Sequence, residues 1–500
     1  MDDNSDLLSK INDKLRTLIK GDDFVPFGLT DRNRIDKLLQ TPDLWGHNPH
    51  LNNYEPTAQN LTEAIYELVA SARHSIDIST LTPLPDGRFL DALRRGIYQA
   101  YESGARPVIR IVQGVHYNLG ESEQGEQSNA PKSQAYEAYI QQMQHFLEEL
   151  NAPADLFVYA ASMQSGWISW NHSKLIVVDS YACIYGGHNQ WTETYCGFAP
   201  VHDVSAQITG PAVSKACDFL DYIWGAVASY SRTNDVSKWY WSCMRHKGKI
   251  YRNALPYIAF TSTPPPCGQA EVLALGRMGA KLAPSTPIVN ASRIARIEAV
   301  RAAKSHIRLA QQKLGYPEDS EFMEALYEHV AAGKQLSIII SDLHAQDQNG
   351  ADYGGWGVVE TARVIARGVA QKTGKRAGAL ADWLQRHVRI GPVRFYDRQP
   401  DDPAAKSWMW TKRDVAGRIV KQVEPANHSK VYIVDEAAFY IGSDNAYSIF
   451  GNDEGLQEFG FLIGGADNTK AFIDAYWNRF WHYSSQFAFT GWNDFTKELA

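Results

Sequence analysis

Residues 171–189, NHSKLIVVDSYACIYGGHN, recur at 427–445 as NHSKVYIVDEAAFYIGSDN, without a gap and with nine of nineteen positions identical. A chain that repeats such a segment 256 positions on, from His172 to His428, is built from two related units. Weaker similarity extends upstream. SARHSIDIS (71–79) matches AAKSHIRLA (302–310), and FLDALRRGIYQAYESGARPVIRIV (89–112) matches FMEALYEHVAAGKQLSIIIS (322–341). In each copy a β-patterned run is followed by a helix-patterned segment, a Gly and a second β run. That order is a βαβ unit, so each half is expected to be α/β. The predicted division is 1–285 and 286–500, with the linker within 262–292, where TPPPCG and APSTP disfavour regular structure. The segment 343–425 reads as an insertion of loops and helices over the site, partly helical across 359–388.

The chain has 500 residues, 44% apolar and 21% charged, which suits globular halves large enough to bury a core. A net charge of −7 argues against a non-specific nucleic-acid binder. No apolar run reaches the roughly 18 residues of a membrane span. The opening MDDNSDLLSKINDKLRTLIKGDDF is too charged for a secretory leader. The five cysteines form no CxxC pair, so no structural zinc is expected; a Cys243–Cys267 bridge is the one pairing to test. The aromatic clusters WISW (167–170), WYW (239–241) and WMW (408–410) read first as core and second as membrane-facing anchors.

Each copy spells H-x-K, four residues, D, six residues, G-(G or S)-x-N. The runs LIVV and VYIV predict a buried strand, and CIY and FYI its hairpin partner. Strand alternation puts His172 with Lys174, and His428 with Lys430, on one face. Asp179 and Asp435 fall near the turn and are expected to fix the turn or the Lys rather than to touch substrate. Gly186, Gly187 and Gly442 allow close backbone approach to a ligand. Lys174, Lys430, Asn189 and Asn445 make an anion clamp suited to phosphate. One imidazole can attack phosphorus while the other protonates the leaving oxygen, provided the two hairpins meet across the interface between halves. No carboxylate cluster suggests a metal, so metal-independent chemistry with no cofactor is expected.

At these residues the sequence resembles the phospholipase D superfamily, whose hallmark is a doubled HKD motif. It is most similar to secreted microbial phospholipases D, through WNHSKLIVVD, GGHNQW, VHDVSAQITGPA and LQEFG. The resemblance implies two homologous αβα-sandwich halves, packed with pseudo-two-fold symmetry around an interfacial active site. It implies that His172 is the nucleophile forming a phospho-histidine and that His428 is the general acid and then base. It also implies that Asp203 and Glu458 hold the imidazole tautomers, a position more often Asp in the second copy of relatives. Trp191 and Tyr195, after the first motif, and Trp356, in YGGWG, match head-group aromatics suited to a quaternary ammonium. Gly187 and Ser443 are assigned to substrate binding. The implied activity is hydrolysis of phosphatidylcholine-type lipids to phosphatidic acid and choline, with transphosphatidylation to primary alcohols. The alternative is a nuclease or other phosphodiesterase on the same hairpins; a catalytically silent phosphate- or lipid-binding protein is a third reading. The expected partners are a phospholipid substrate and, transiently, a membrane surface, met through the WMW loop, with no nucleic acid, and the expected state is a monomer. Secretion follows from the resemblance, with a cytoplasmic protein as the alternative.

Overall fold

The computed structural model describes residues 7–19, 27–46, 55–114, 132–165, 169–230, 238–254, 265–279, 289–315, 320–341, 356–397, 408–447 and 456–498. The first half contains β1 (Phe27–Thr41), β2 (Ser75–Leu81), β3 (Val108–Gly114), β4 (Val158–Ser165), β5 (Leu175–Val178), β6 (Ala182–Gly186), β7 (Asp203–Thr209), β8 (Lys238–His246) and β9 (Lys249–Arg252). They lie in the order β9-β8-β4-β3-β2-β5-β6-β7-β1. β2, β3 and β4 are parallel, joined by the crossover helices Gly87–Glu102 and Lys132–Leu150. The β5–β6 hairpin and β7 extend the sheet antiparallel from β2.

The second half contains β10 (Ala270–Met278), β11 (Val289–Asn290), β12 (His306–Gln311), β13 (Gln335–Ile340), β14 (Val388–Pro392), β15 (Trp410–Arg413), β16 (Ile419–Val423), β17 (Lys430–Val434), β18 (Ala438–Gly442) and β19 (Glu458–Gly464). Its sheet order, β14-β13-β12-β17-β18-β19-β10, repeats, strand for strand, the β4-β3-β2-β5-β6-β7-β1 part of the first half's sheet. β15 and β16 form a separate hairpin.

Alternation along the motif strands explains the layers. In β5, Leu175 and Val177 enter a central core while Ile176 and Val178 enter an outer one; in β17, Val431 and Ile433 go inward while Tyr432 and Val434 go outward. Both faces of each strand are therefore buried, which is why LIVV and VYIV are continuously apolar. The central core is shared by the inner faces of both sheets, and each outer core is roofed by helices. Among the described residues no helix is long and apolar enough to cross a membrane.

Several sequence expectations change here. The division at 285/286 is not how the chain partitions in space. β10 lies within the segment read as a linker, yet it pairs with β19 in the second sheet. β1 pairs with β10 through its first residues and with β7 through its last, and helix Leu7–Leu18 packs in the second half's outer core. The helices Val358–Thr373 and Ala377–His387 do not form a cover over the site. They are the crossover from β13 to β14, buried against the sheet. All five cysteines are unbridged, so Cys243 and Cys267 do not pair.

Candidate active site

The two motif segments are stitched to the opposite halves by backbone. Asn171 forms a parallel bridge with Gln457, and Asn427 forms one with His202. The His172 amide donates to Gln457 O at 2.8 Å, and the His428 amide to His202 O at 2.7 Å. Gln457 and His202 each immediately precede an acid at the start of a strand, Glu458 in β19 and Asp203 in β7. The bridges therefore deliver each acid to the other half's histidine. His172 Nδ1 lies 2.8 Å from Glu458 Oε1, and His428 Nδ1 lies 2.7 Å from Asp203 Oδ2. Nδ1 of each ring is thus committed to a carboxylate, which leaves Nε2 as the ring nitrogen on the side away from the acid.

Inside each copy, an Asn fixes the motif's backbone. Asn171 Oδ1 accepts from the Ser173 amide and hydroxyl, and Asn427 Oδ1 accepts from Ser429 in the same way. Gly114 is required next to this turn, because a Cβ there would sit 1.6 Å from Asn171 O. Lys174 Nζ donates to His172 O at 2.6 Å, and Lys430 Nζ donates to His428 O. Asp179 and Asp435 are turn residues with φ of 53° and 52°. Asp179 accepts the backbone amides of Arg73, His74 and Ser75; Asp435 accepts those of Lys304, Ser305 and His306. Both acids thus tie the hairpin turn to the start of β2 or β12, away from the imidazoles.

Burial dominates the electrostatics. It brings Lys174 down to about 7, with Lys430 lowering it further and Glu458 and Asp203 opposing. Burial also takes Lys430 to about 8, against Asp203, Glu458 and Asp444, and takes His428 to about 4, with Lys430 adding to the fall. Burial would raise Asp203, but His428, His188 and Lys430 outweigh it and hold the carboxyl below the usual range. Glu458 is pushed well up, chiefly by burial and despite Lys174. The paired acids are therefore unequal, and the centre holds two buried lysines whose charge an anion would stabilise.

The structure places the remaining predicted residues as follows. Tyr195 is fully buried and does not line a head-group pocket. Its hydroxyl donates to Asp203 Oδ2 at 3.0 Å and accepts from the Asn189 amide at 3.2 Å, while its ring meets His188 and Phe89. Ser443 is also fully buried. Its hydroxyl donates to Glu458 Oε2 at 2.5 Å, so it braces an acid where substrate contact was expected. Gly187 likewise faces Asp203: a Cβ there would lie 2.0 Å from Oδ1. Trp191 is half-buried in an apolar patch with Leu81, Trp170 and Leu456, drawn from both halves, and its indole N–H donates to Pro83 O. Trp356 bridges Leu314 and packs partly against the second half's outer core. The WMW aromatics are not a docking loop: Trp408 and Trp410 are in the central core, with the Arg394 guanidinium 3.8 Å from the Trp408 ring centroid. Asn189 and Asn445, at equivalent positions, each keep a buried side-chain oxygen without a partner.

Sequence reasoning missed what holds those two asparagines. His188 and Asp444, the residues before them, are equivalent in the repeat yet chemically unrelated. His188 is gripped by Thr41 Oγ1 at 2.7 Å and Ser205 Oγ at 2.8 Å; Asp444 is gripped by Arg277, Arg296 and Ser292. Thr41 pairs with Asp203 across β1–β7, and Arg277 pairs with Glu458 across β10–β19, so the grips are themselves equivalent. No shared residue type marked them, and only the strand register could have found them.

No protein-family model matches the chain. It is 26% identical over 518 aligned residues to phospholipase D of Streptomyces antibioticus, covering 92% of this chain and 84% of that protein. Its fold is similar to that of phosphatidylserine synthase from Haemophilus influenzae, with a TM-score of 0.53 at 13% identity over 91% of this chain and 90% of the other.

Proposed function

We propose that the chain is a phosphodiesterase of the phospholipase D superfamily that cleaves the distal phosphodiester bond of phosphatidylcholine-type lipids. The observation that carries this reading is the reciprocal bracing of His172 by Glu458 and of His428 by Asp203. In this reading each acid orients its imidazole toward a phosphorus bound between the halves, as in-line displacement requires. His172 Nε2 attacks phosphorus, the bond to the choline oxygen breaks, and His428 gives that oxygen a proton. The anionic substrate offsets the lysine charge that otherwise disfavours the imidazolium. His428 then takes a proton from water, whose oxygen displaces His172 and releases phosphatidic acid. A primary alcohol in place of water gives transphosphatidylation, and two displacements retain configuration at phosphorus. Lys174, Lys430, Asn189 and Asn445 neutralise the non-bridging oxygens, so turnover is expected to persist in chelator. The half-exposed indole of Trp191 offers the choline face, with Trp356 as a second wall.

The test is incubation with phosphatidylcholine and ethanol in chelator, reading phosphatidylethanol and phosphatidic acid, beside single-stranded DNA as an alternative diester. Phosphatidyl transfer and no DNA cleavage are expected. DNA cleavage without lipid turnover would give the site to a nuclease. His428→Ala is expected to accumulate phosphate on the protein, and His172→Ala is not.

A further inference from the structure

The β15–β16 hairpin stands apart from both sheets. Its root is buried, where Trp410 pairs with Val423, and the tip is exposed on both faces. Val415 is fully exposed at 110%, Val420 at 57% and Ile419 at 50%. Of the eight large apolar side chains exposed among the described residues, three fall within these six positions. Isolated exposed aliphatics are ordinary; three at the tip of one projecting hairpin are not.

The tip is ordered by its own bonds. Asp414 Oδ1 accepts the Ala416 and Arg418 amides, each at 2.9 Å, and Arg413 Nη1 donates to Gly417 O at 2.8 Å. Flanking the aliphatics are Lys412, Arg413, Arg418 and Lys421 against the single acid Asp414, on a chain whose net charge is −7. On a chain that is acidic overall, this local cationic, aliphatic tip suits an anionic apolar surface. β16 ends at Val423, and the chain then runs directly to Asn427 and His428, whose amide is tied to His202. The hairpin therefore emerges beside the catalytic histidines.

We propose that this hairpin is the membrane-docking element, inserting Val415, Ile419 and Val420 among the acyl chains of an anionic bilayer while Lys412, Arg413 and Lys421 meet lipid phosphates and Arg418 stays paired with Asp414. This rests on the phospholipid reading of the site, and it moves the docking surface from the buried 408–410 aromatics to 412–421. A lipid surface fits better than single-stranded nucleic acid because the tip carries aliphatics and no aromatic on which a base could stack.

The test uses the full chain carrying His172→Ala, so that vesicle composition stays fixed. Sedimentation with vesicles of phosphatidylcholine plus phosphatidic acid is compared with pure phosphatidylcholine. Binding is expected to be about tenfold or more stronger to the anionic vesicles and to weaken at ~0.5 M salt. Val415→Ser/Ile419→Ser/Val420→Ser is expected to lose about tenfold or more of that binding, and Lys412→Gln/Lys421→Gln to lose the preference for anionic lipid. In the otherwise unaltered enzyme, the triple variant should turn over a monomeric short-chain phosphatidylcholine as the parent does. Unchanged vesicle binding in both variants overturns the proposal. So does equal loss on monomeric substrate, which would place the hairpin inside the site, or single-stranded DNA binding that the charge variant alone abolishes. If the vesicle profile holds and the enzyme turns over no phospholipid, the docking proposal stands and the substrate reading fails.

Discussion

The carboxylate of Asp203 is held by donors from three directions: His428 Nδ1, the Tyr195 hydroxyl and its own neighbour's amide at Val204. Its counterpart Glu458 takes its second bond from Ser443. A hydrogen bond to a charged group contributes about 1.5–3 kcal/mol. Tyr195→Phe removes one from a carboxylate that must stay ionised, so kcat is expected to fall roughly tenfold with KM little changed. Steady-state kinetics on short-chain phosphatidylcholine check this, and an unchanged kcat would assign Tyr195 to packing alone. Asp435 supplies the contrasting case. Burial would raise its pKa, but the amides of Lys304 and His306 and the Ser305 hydroxyl and amide lower it below the ordinary carboxylate value. Its contribution to stability is therefore present above the unfolded pKa of about 4 and is lost as pH falls below it. Asp435→Ala is expected to cost about 1–3 kcal/mol, read as a lower denaturation midpoint at pH 7 whose deficit shrinks toward pH 3.

At the scale of elements, the β5–β6 and β17–β18 hairpins place His and Lys by strand register, and the following strands β7 and β19 place the acids. Gly187 sits where the first hairpin meets β7, with Asp203 occupying the space beside its Cα. Gly187→Ala must displace that carboxylate, and with it His428. A loss of about a hundredfold or more in kcat/KM is expected, with the fold intact by circular dichroism. Retention of activity would show that Asp203 has slack the structure does not display. The paired motif strands, their order and their turns were legible because each needs a local pattern: apolar runs, a turn acid, a glycine. The crossover helices of the second half were legible as helices, but their place was not. Helical periodicity reports an apolar face without saying which sheet covers it, so Val358–Thr373 and Ala377–His387 read as a lid. β10 was hidden by the Pro-rich residues before it, although AEVLALGRM is itself a strand pattern.

For the whole molecule, the site exists only where the halves meet, and its charge is a joint property. Lys174 and Lys430 come from different halves, and burial holds them to about 7 and about 8. A lysine is cationic below its pKa, so this lysine pair is charged at pH 6 and loses its charge as pH rises through 7 to 8. The profile of kcat/KM is expected to fall on its alkaline side in that window, well below the value near 10.4 of an exposed lysine. Lys174→Arg, which stays charged, is expected to move that limb upward in whatever activity survives. A profile flat to pH 9.5 would mean the lysines are protonated throughout.

The sequence by itself determined the doubled motif: two histidines, two lysines and two asparagines in a repeated strand–turn–strand, on a βαβ scaffold. Those features are local, since spacing along one strand decides which side chains share a face. Which acid serves which histidine was decided only in three dimensions. Glu458 holds His172 and Asp203 holds His428 because each motif's backbone pairs with the residue just before the other half's acid. The burial of Tyr195, the two unlike grips on His188 and Asp444, and the exposure of the 412–421 tip were settled in the same way. Each depends on how separate elements pack together or on what they leave uncovered, and packing alone fixes both.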